Sequence, residues 1–274
     1  METLWHDMVA FLALPLAMSL ILSGIHCYLG FHVLERGIIF VDLSLAQVAA
    51  FGAALSLLFG LETGSISSYA ISFVCTLFAA LLFTRAKDFE KKVPLEAIIG
   101  ITYALGAACV ILIGSSLAHG SEHIKNLLVG QVLWVTSSDV LIVAAIYALV
   151  GFIHYFYRQR FFEASSGTIK ENKALWDFFF YALFGVVITS SVHVAGVLQV
   201  FAYLIVPPVV AHLFFTTLKH KLLFGWSFSF LVSMLGMALS YLFDLPSGAA
   251  MVALFTAIPV FLIAFLKKPL NLKG

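Results

Sequence analysis

The sequence predicts an all-α fold, a polytopic membrane helix bundle of about eight or nine spans. Of the 274 residues, 62% are hydrophobic and 11% are charged, whereas soluble domains are roughly half apolar and a quarter charged. Apolar runs of about 20 residues, the length that crosses a bilayer, recur along the chain. We therefore expect a single transmembrane domain over residues 1–274, whose apolar faces are covered by lipid.

Nine segments are candidate spans, and they lie at residues 8–34, 38–60, 66–84, 95–117, 138–157, 175–192, 197–216, 222–243 and 248–266. Pro207-Pro208 predicts a broken helix, because proline lacks the backbone donor and clashes with the preceding turn. A broken helix at membrane depth either lines a cavity or only shapes packing, and both readings stay open. Residues 124–136 are too short to cross and predict a short re-entrant or interfacial helix.

Basic residues lie almost entirely on one side of these alternating spans. Every Lys and Arg except Lys125 falls in a loop after alternate spans or in the C-terminal tail. Cytoplasmic loops carry an excess of Lys and Arg. We therefore predict a multi-pass protein of the inner (plasma) membrane with a cytoplasmic C-terminus. The net charge of +1 gives no reason to expect a nucleic-acid partner.

Ionisable and polar groups inside the spans are the first candidates for function, since they are costly in lipid. Asp42 lies five residues into the second span, and Gln47 follows it on the same helix. We predict that both line a translocation path, together with His193, Gln199 and His212 around the broken span. The alternative for Asp42 is a hydrogen bond to a neighbouring helix, and the alternative for each histidine is packing in the core.

An outward loop carries a second group of candidate ligands: His119, Glu122 and His123. Imidazole and carboxylate suit zinc, and also manganese or iron. The group is either a polar loop tip or an entry station for a divalent metal ion, which would be a substrate and not a permanently bound cofactor. The chain has neither the nucleotide-binding spacing G-x-x-x-x-G-K-[ST] nor the metalloprotease motif H-E-x-x-H. We therefore predict a transport protein and no enzyme.

The inward loop 158–174 contains a segment that suits a short helix ending at a glycine. Its residues are Glu163, Ala164, Ser165, Ser166 and Gly167. A short helix that projects from the membrane would dock in a groove of a partner, whereas the alternative is a solvated basic loop.

Five segments, in this order, resemble the permease subunits of the ABC importers for zinc, manganese and iron. They are VLERGIIFVDLSLAQVAAFGAAL, LLVGQVLWVTSSDV, FFEASSG, GVLQVFAYLIVPPVVAH and LSYLFDLPSGAAMV. The resemblance implies a homodimeric permease, a cytoplasmic ATP-binding subunit and an extracytoplasmic metal-binding protein. It also implies that Glu163–Gly167 lies where the ATPase docks.

The second span departs from the pattern of that family, which commonly has Asp-x-x-Ser/Ala-His there. Alignment on this pattern places Leu43 at the carboxylate position and Gln47 at the histidine position. Asp42 is displaced by one residue, which is about 100° around a helix. The metal-contacting pair of the family is therefore not carried over intact, and the choice among zinc, manganese and iron stays open. The alternative function is an ion-coupled secondary transporter that uses an intramembrane carboxylate, Asp42 or Glu96.

Overall fold

The structure, a computed structural model, describes residues 2–62, 64–117, 125, 127–130 and 132–265, with side chains from Phe11 onward. These residues form nine α-helices and no strand: α1 (Glu2–Arg36), α2 (Val41–Leu58), α3 (Ile66–Ala86), α4 (Leu95–Ser115), α5 (Ser137–Phe156), α6 (Arg158–Ser165), α7 (Lys173–Phe214), α8 (Leu218–Phe243) and α9 (Ser247–Phe265). The described residues also include two short 3₁₀ turns, Lys87–Phe89 and Val132–Trp134, and helical positions at 125 and 127–129.

Eight of these nine helices in the described part of the chain are long and apolar enough to cross a membrane, and α6 is too short. Helix α7 has 42 residues and is broken at Gly196. The segments before and after the break have about 23 and 18 residues, so each alone approaches the length that spans a 30 Å apolar layer. The predicted all-α membrane bundle of eight or nine spans is confirmed.

The break in this long helix lies at Gly196, and the prediction that it lies near Pro207-Pro208 is wrong. Gly196 has φ 75° and ψ 162°, a conformation that is open to glycine and closed to most residues with a side chain. Both prolines lie inside the helical part that follows. The chain therefore changes direction where glycine allows it, about eleven residues before the prolines.

The prolines fit inside α7 because a neighbouring helix closely approaches the backbone that they disturb. Pro208 has no N–H for the carbonyl of Leu204, four residues earlier. A Cβ added to Gly30 of α1 would lie 1.9 Å from that carbonyl oxygen and 2.8 Å from the Pro208 ring. The backbone of α1 thus covers the freed carbonyl, in the way that neighbouring helices make proline acceptable in membrane spans.

Residues 125 and 127–129 are helical and Val132–Trp134 form a 3₁₀ turn, which agrees with the short helix predicted near 124–136. Gly130, between them, has φ 72°, and a Cβ there would lie 2.1 Å from the carbonyl of Ala195. The segment also approaches α9, since a Cβ on Gly248 would lie 2.0 Å from the carbonyl oxygen of Val129. Its contact with the membrane, re-entrant or interfacial, stays a prediction.

The chain forms two compact units. The first comprises residues 1–31, 129–145 and 194–274, and the second comprises residues 32–128 and 146–193. In the first, α8 packs against α9. In the second, α2 packs against both α3 and α4, and small residues allow close approach. A Cβ added to Gly52 of α2, for example, would lie 2.5 Å from the Cα atom of Ser72.

Substituting alanine for Gly130 is expected to lower the melting temperature of the detergent-solubilised protein by about 5–10 °C, because the positive φ and the overlap with Ala195 together cost about 2–3 kcal/mol. Gly151→Ala is the matched control, since Gly151 lies inside α5 and a Cβ there meets nothing within 4 Å. Equal melting temperatures for the two variants would show that the close approach at Gly130 does not contribute to stability.

Candidate functional site

Asp42 is a fully buried carboxylate in the first turn of α2. Its Oδ1 atom accepts a hydrogen bond of 2.7 Å from the backbone N–H of Leu43. Its Oδ2 atom has no hydrogen-bond partner among the described residues. The partial positive charge of a helix N-terminus favours a carboxylate at this position. An acceptor oxygen without a partner, inside the protein, is the arrangement that a passing cation can use.

Gln47 lies on the same helix and is also buried. Helix α4 comes very close at this point, because a Cβ added to Gly106 would lie 3.1 Å from the Cβ of Gln47. Ser44, between Asp42 and Gln47, is buried as well, and its hydroxyl has no partner among the described residues. Helix α2 therefore carries three buried polar side chains within about two turns.

His193 presents a ring nitrogen that suits a metal ion. Its Nδ1 atom lies 2.8 Å from the carbonyl oxygen of Thr189. A carbonyl only accepts, so Nδ1 carries the hydrogen, and in the neutral ring Nε2 keeps its lone pair. Nε2 has no partner among the described residues. A histidine that donates its other N–H to a backbone carbonyl is the usual arrangement of a metal ligand.

Tyr69 of α3 packs against the same ring, with the two ring centroids 4.2 Å apart. Asp42, Gln47 and His193 all belong to the second unit. The sequence interpretation did not include Tyr69, since nothing in its apolar helix distinguishes it from other aromatic residues.

The remaining two path candidates, Gln199 and His212, belong to the first unit. Gln199 is buried, donates to the hydroxyl of Tyr203 at 3.0 Å, and has no partner for its Oε1 atom among the described residues. The Tyr203 hydroxyl is 3.0 Å from the Ser233 hydroxyl on α8. His212 lies 3.1 Å, through Nδ1, from the carbonyl of Pro208, and its ring packs near Phe31.

The predicted outer group, His119, Glu122 and His123, lies outside the described residues. Within the described part of the chain, no three His, Cys, Asp or Glu side chains come together in a group that could hold a metal ion. The described candidates therefore offer single ligands along the chain and not an assembled metal cage.

The inward segment forms the short helix that the sequence predicts, α6, and Gly167 follows its end. Gly167 has φ 72°, and the N–H groups of Thr168 and Ile169 donate to the carbonyl of Glu163 at 2.9 and 3.1 Å. These bonds satisfy a carbonyl that the helix end leaves without a donor, as glycine C-caps do.

The docking residues predicted on this helix fall on two different faces. Ala164 and Ser165 are buried, Glu163 is half-buried, and Ser166 and Gly167 are exposed. Phe161 continues the buried face, and its ring stacks on that of His154 at 4.0 Å. Of these five residues, only Glu163, Ser166 and Gly167 are accessible at the surface, whereas Ala164 and Ser165 are buried within the second unit.

A buried charge cluster in the second unit was missed by the sequence interpretation. Asp177 of α7 contacts both Arg36, at the end of α1, and Lys87, at the end of α3, and the Arg36 and Asp177 side chains are each 2% exposed. The signal was present, because Asp177 is an acidic residue inside the apolar run LWDFFF. Such a group demands a buried cation.

Comparison with known proteins gives concordant matches. The family model described as the ABC 3 transport family matches residues 8–268. The manganese transport system membrane protein MntC of Listeria innocua is 29% identical over 255 residues, which are 91% of this chain and 86% of that protein. The high-affinity zinc uptake system membrane protein ZnuB of Buchnera aphidicola is 27% identical, over 88% of this chain and 91% of that protein.

A solved structure has the same fold. PsaBC from Streptococcus pneumoniae, in complex with Fab, superposes with a TM-score of 0.78. The superposition covers 98% of this chain and 97% of the other, at 23% sequence identity.

Proposed function

Because this chain belongs to the ABC 3 transport family, we propose that it is the membrane-spanning permease subunit of an ATP-driven importer of a divalent metal ion. The names of the similar proteins support manganese or zinc as the cargo, and that of another, a probable iron transport system membrane protein of Haemophilus influenzae, extends this to iron. The structural observation that carries the proposal is Asp42, a fully buried carboxylate with one oxygen that accepts no hydrogen bond from any residue the structure describes.

A divalent ion in an apolar layer needs replacements for its water ligands, and unpaired charge there is very costly. Asp42 supplies the negative charge, and His193 supplies a neutral nitrogen in the same unit. Gln47 supplies a weaker oxygen ligand. Sites of this kind bind an ion weakly enough to release it, which transport requires.

ATP hydrolysis on a separate cytoplasmic ATP-binding subunit supplies the energy for transport. An extracytoplasmic metal-binding protein delivers the ion to the permease. The docking surface for the ATP-binding subunit is the exposed part of α6 at Glu163 together with Ser166 and Gly167, which follow the end of the helix. Two such permease chains form a homodimer. The C-terminus lies on the cytoplasmic side, a proposal supported by the excess of Lys and Arg in the loops after alternate spans and in the C-terminal tail.

The test is reconstitution of the purified chain, with the subunits that co-purify with it, into lipid vesicles. Radiolabelled Mn²⁺, Zn²⁺ or Fe²⁺ should enter only when ATP is supplied on the side of the ATP-binding subunit. A non-hydrolysable ATP analogue is the control and should reduce uptake to background. Uptake that follows a proton gradient and ignores ATP would instead establish the ion-coupled secondary transporter.

A further inference from the structure

Arg36, the last residue of α1, lies at the centre of the buried charge cluster in the second unit. Its Nη1 atom is 2.5 Å from Oδ1 of Asp177, and Nζ of Lys87 is 2.9 Å from the same oxygen. The Arg36 and Asp177 side chains are almost fully buried. A buried ion pair holds its partners in one arrangement, since separating them leaves a charge without compensation.

Arg36 also holds the docking helix α6. Its Nε atom donates to the hydroxyl oxygen of Ser165 at 3.0 Å. Nδ1 of His32, one turn earlier on α1, lies 2.8 Å from the same hydroxyl. Ser165 belongs to the buried face of α6, so these bonds join the inner side of the docking helix to α1. Hydrogen bonds from a guanidinium are stronger than those between neutral groups.

The guanidinium of Arg36 contacts the first part of α7 at a second residue. Its central carbon lies 4.0 Å from the centroid of the Phe180 ring, one turn after Asp177. Cation–π contact of this kind adds to the ion pair when it is shielded from water. Arg36 therefore joins α6 and the first two turns of α7 through one rigid, planar group.

Helix α7 continues without interruption from Asp177 to His193, which lies about 24 Å farther along the helix axis. Both residues belong to the second unit. A displacement of α6 that moves Arg36 would therefore also move α7, which carries the proposed path residue His193.

We propose that Arg36 and Ser165 couple the docking helix to the transport helices: motion of α6 is passed through the Ser165–Arg36–Asp177 contacts to α7. This inference rests on the proposed role of α6 as the docking surface for the ATP-binding subunit. Arg36 and Ser165 are positioning residues, and neither touches the ion.

Ser165→Val and Ser165→Thr test this coupling as a matched pair, because the two new side chains have the same shape and only threonine keeps the hydroxyl. In vesicles that contain the complex with its ATP-binding subunit, Ser165→Val should lower Mn²⁺ transported per ATP hydrolysed about tenfold. Ser165→Thr should stay near the value of the unmodified chain. Both variants should retain the ATP-binding subunit during purification, because the exposed face of α6 is unchanged.

Two further variants serve as controls. One tests whether loss of any buried hydroxyl lowers the transport ratio, and the other tests whether the ATP-binding subunit binds at α6. Ser68→Ala removes a buried hydroxyl that accepts a hydrogen bond of 2.9 Å from Ser56 between α3 and α2, and it should leave the transport ratio unchanged. Ser166→Trp places a bulky group on the exposed docking surface directly after α6 and should release the ATP-binding subunit.

The outcomes distinguish the inference from the function on which it rests. Equal transport ratios for Ser165→Val and Ser165→Thr, with Ser166→Trp still releasing the ATP-binding subunit, would overturn the coupling role alone. Retention of the ATP-binding subunit and full transport in Ser166→Trp would overturn docking at α6, and the coupling role with it. A loss in Ser165→Val that threonine prevents supports both.

Discussion

Replacing Asp177 by asparagine is expected to lower the free energy of unfolding by about 3–5 kcal/mol, the cost of removing one partner from a buried ion pair. Arg36 and Lys87 both contact Oδ1 of this carboxylate, so the variant leaves two cations facing each other. The Asp177 side chain is 2% exposed, so water does not replace the lost charge. In detergent the melting temperature should fall by about 10 °C.

Asp88→Asn is the matched control for this prediction. Asp88 follows Lys87 directly but is exposed, so its substitution should change the free energy of unfolding by less than about 0.5 kcal/mol. The double variant Arg36→Met/Asp177→Leu should be more stable than Asp177→Asn, because it removes both buried charges and Lys87 can turn toward solvent. Equal melting temperatures for Asp88→Asn and Asp177→Asn would contradict a stabilising role for the cluster.

Helix positions were predicted well from the sequence because the bilayer imposes them. An apolar run must be helical, since lipid offers no partner to backbone polar groups. The start of α4 at Leu95 coincides with the predicted boundary, and α3 and α9 begin within one residue of theirs. The prediction from Pro207-Pro208 placed the break of α7 wrongly, because whether a proline interrupts a membrane helix depends on what the neighbouring helix places against it. The close approach of Gly30 to Leu204 that makes the prolines acceptable is a tertiary contact, and local sequence does not encode it.

The candidate site was only partly predictable for a similar reason. The existence of the short helix α6 followed from local signals, with Gly167 directly after its end. Its division into a buried and an exposed face did not, because Ser165 and Ser166 are the same residue type and differ only in what packs against them. Likewise, the ends of α1, α3 and α7 carry charges that are visible in the sequence, but their meeting at Asp177 is a matter of helix packing.

Asp42→Asn is expected to abolish most metal transport while the protein stays folded. Asparagine has almost the same shape and keeps an oxygen that can accept the N–H of Leu43, so the first turn of α2 should remain intact. The variant removes the negative charge from an oxygen that has no partner in the described structure. A lost charge-assisted contact of about 1.5–3 kcal/mol corresponds to roughly a 10- to 100-fold lower rate of ATP-driven uptake.

The measurement compares uptake of radiolabelled Mn²⁺ with the melting temperature for Asp42→Asn and for Asp139→Asn. Asp139 is also a carboxylate in the first turn of a span, but it is only half-buried and accepts from the backbone N–H and the hydroxyl of Thr136, so it has a capping role. Asp139→Asn should lose a little stability and keep its uptake, the opposite of Asp42→Asn. Full uptake in Asp42→Asn, together with a lower melting temperature, would show that Asp42 is a packing residue of α2. In that case the displacement of the carboxylate from the family pattern would mark a site that this chain has lost and not one that it has shifted.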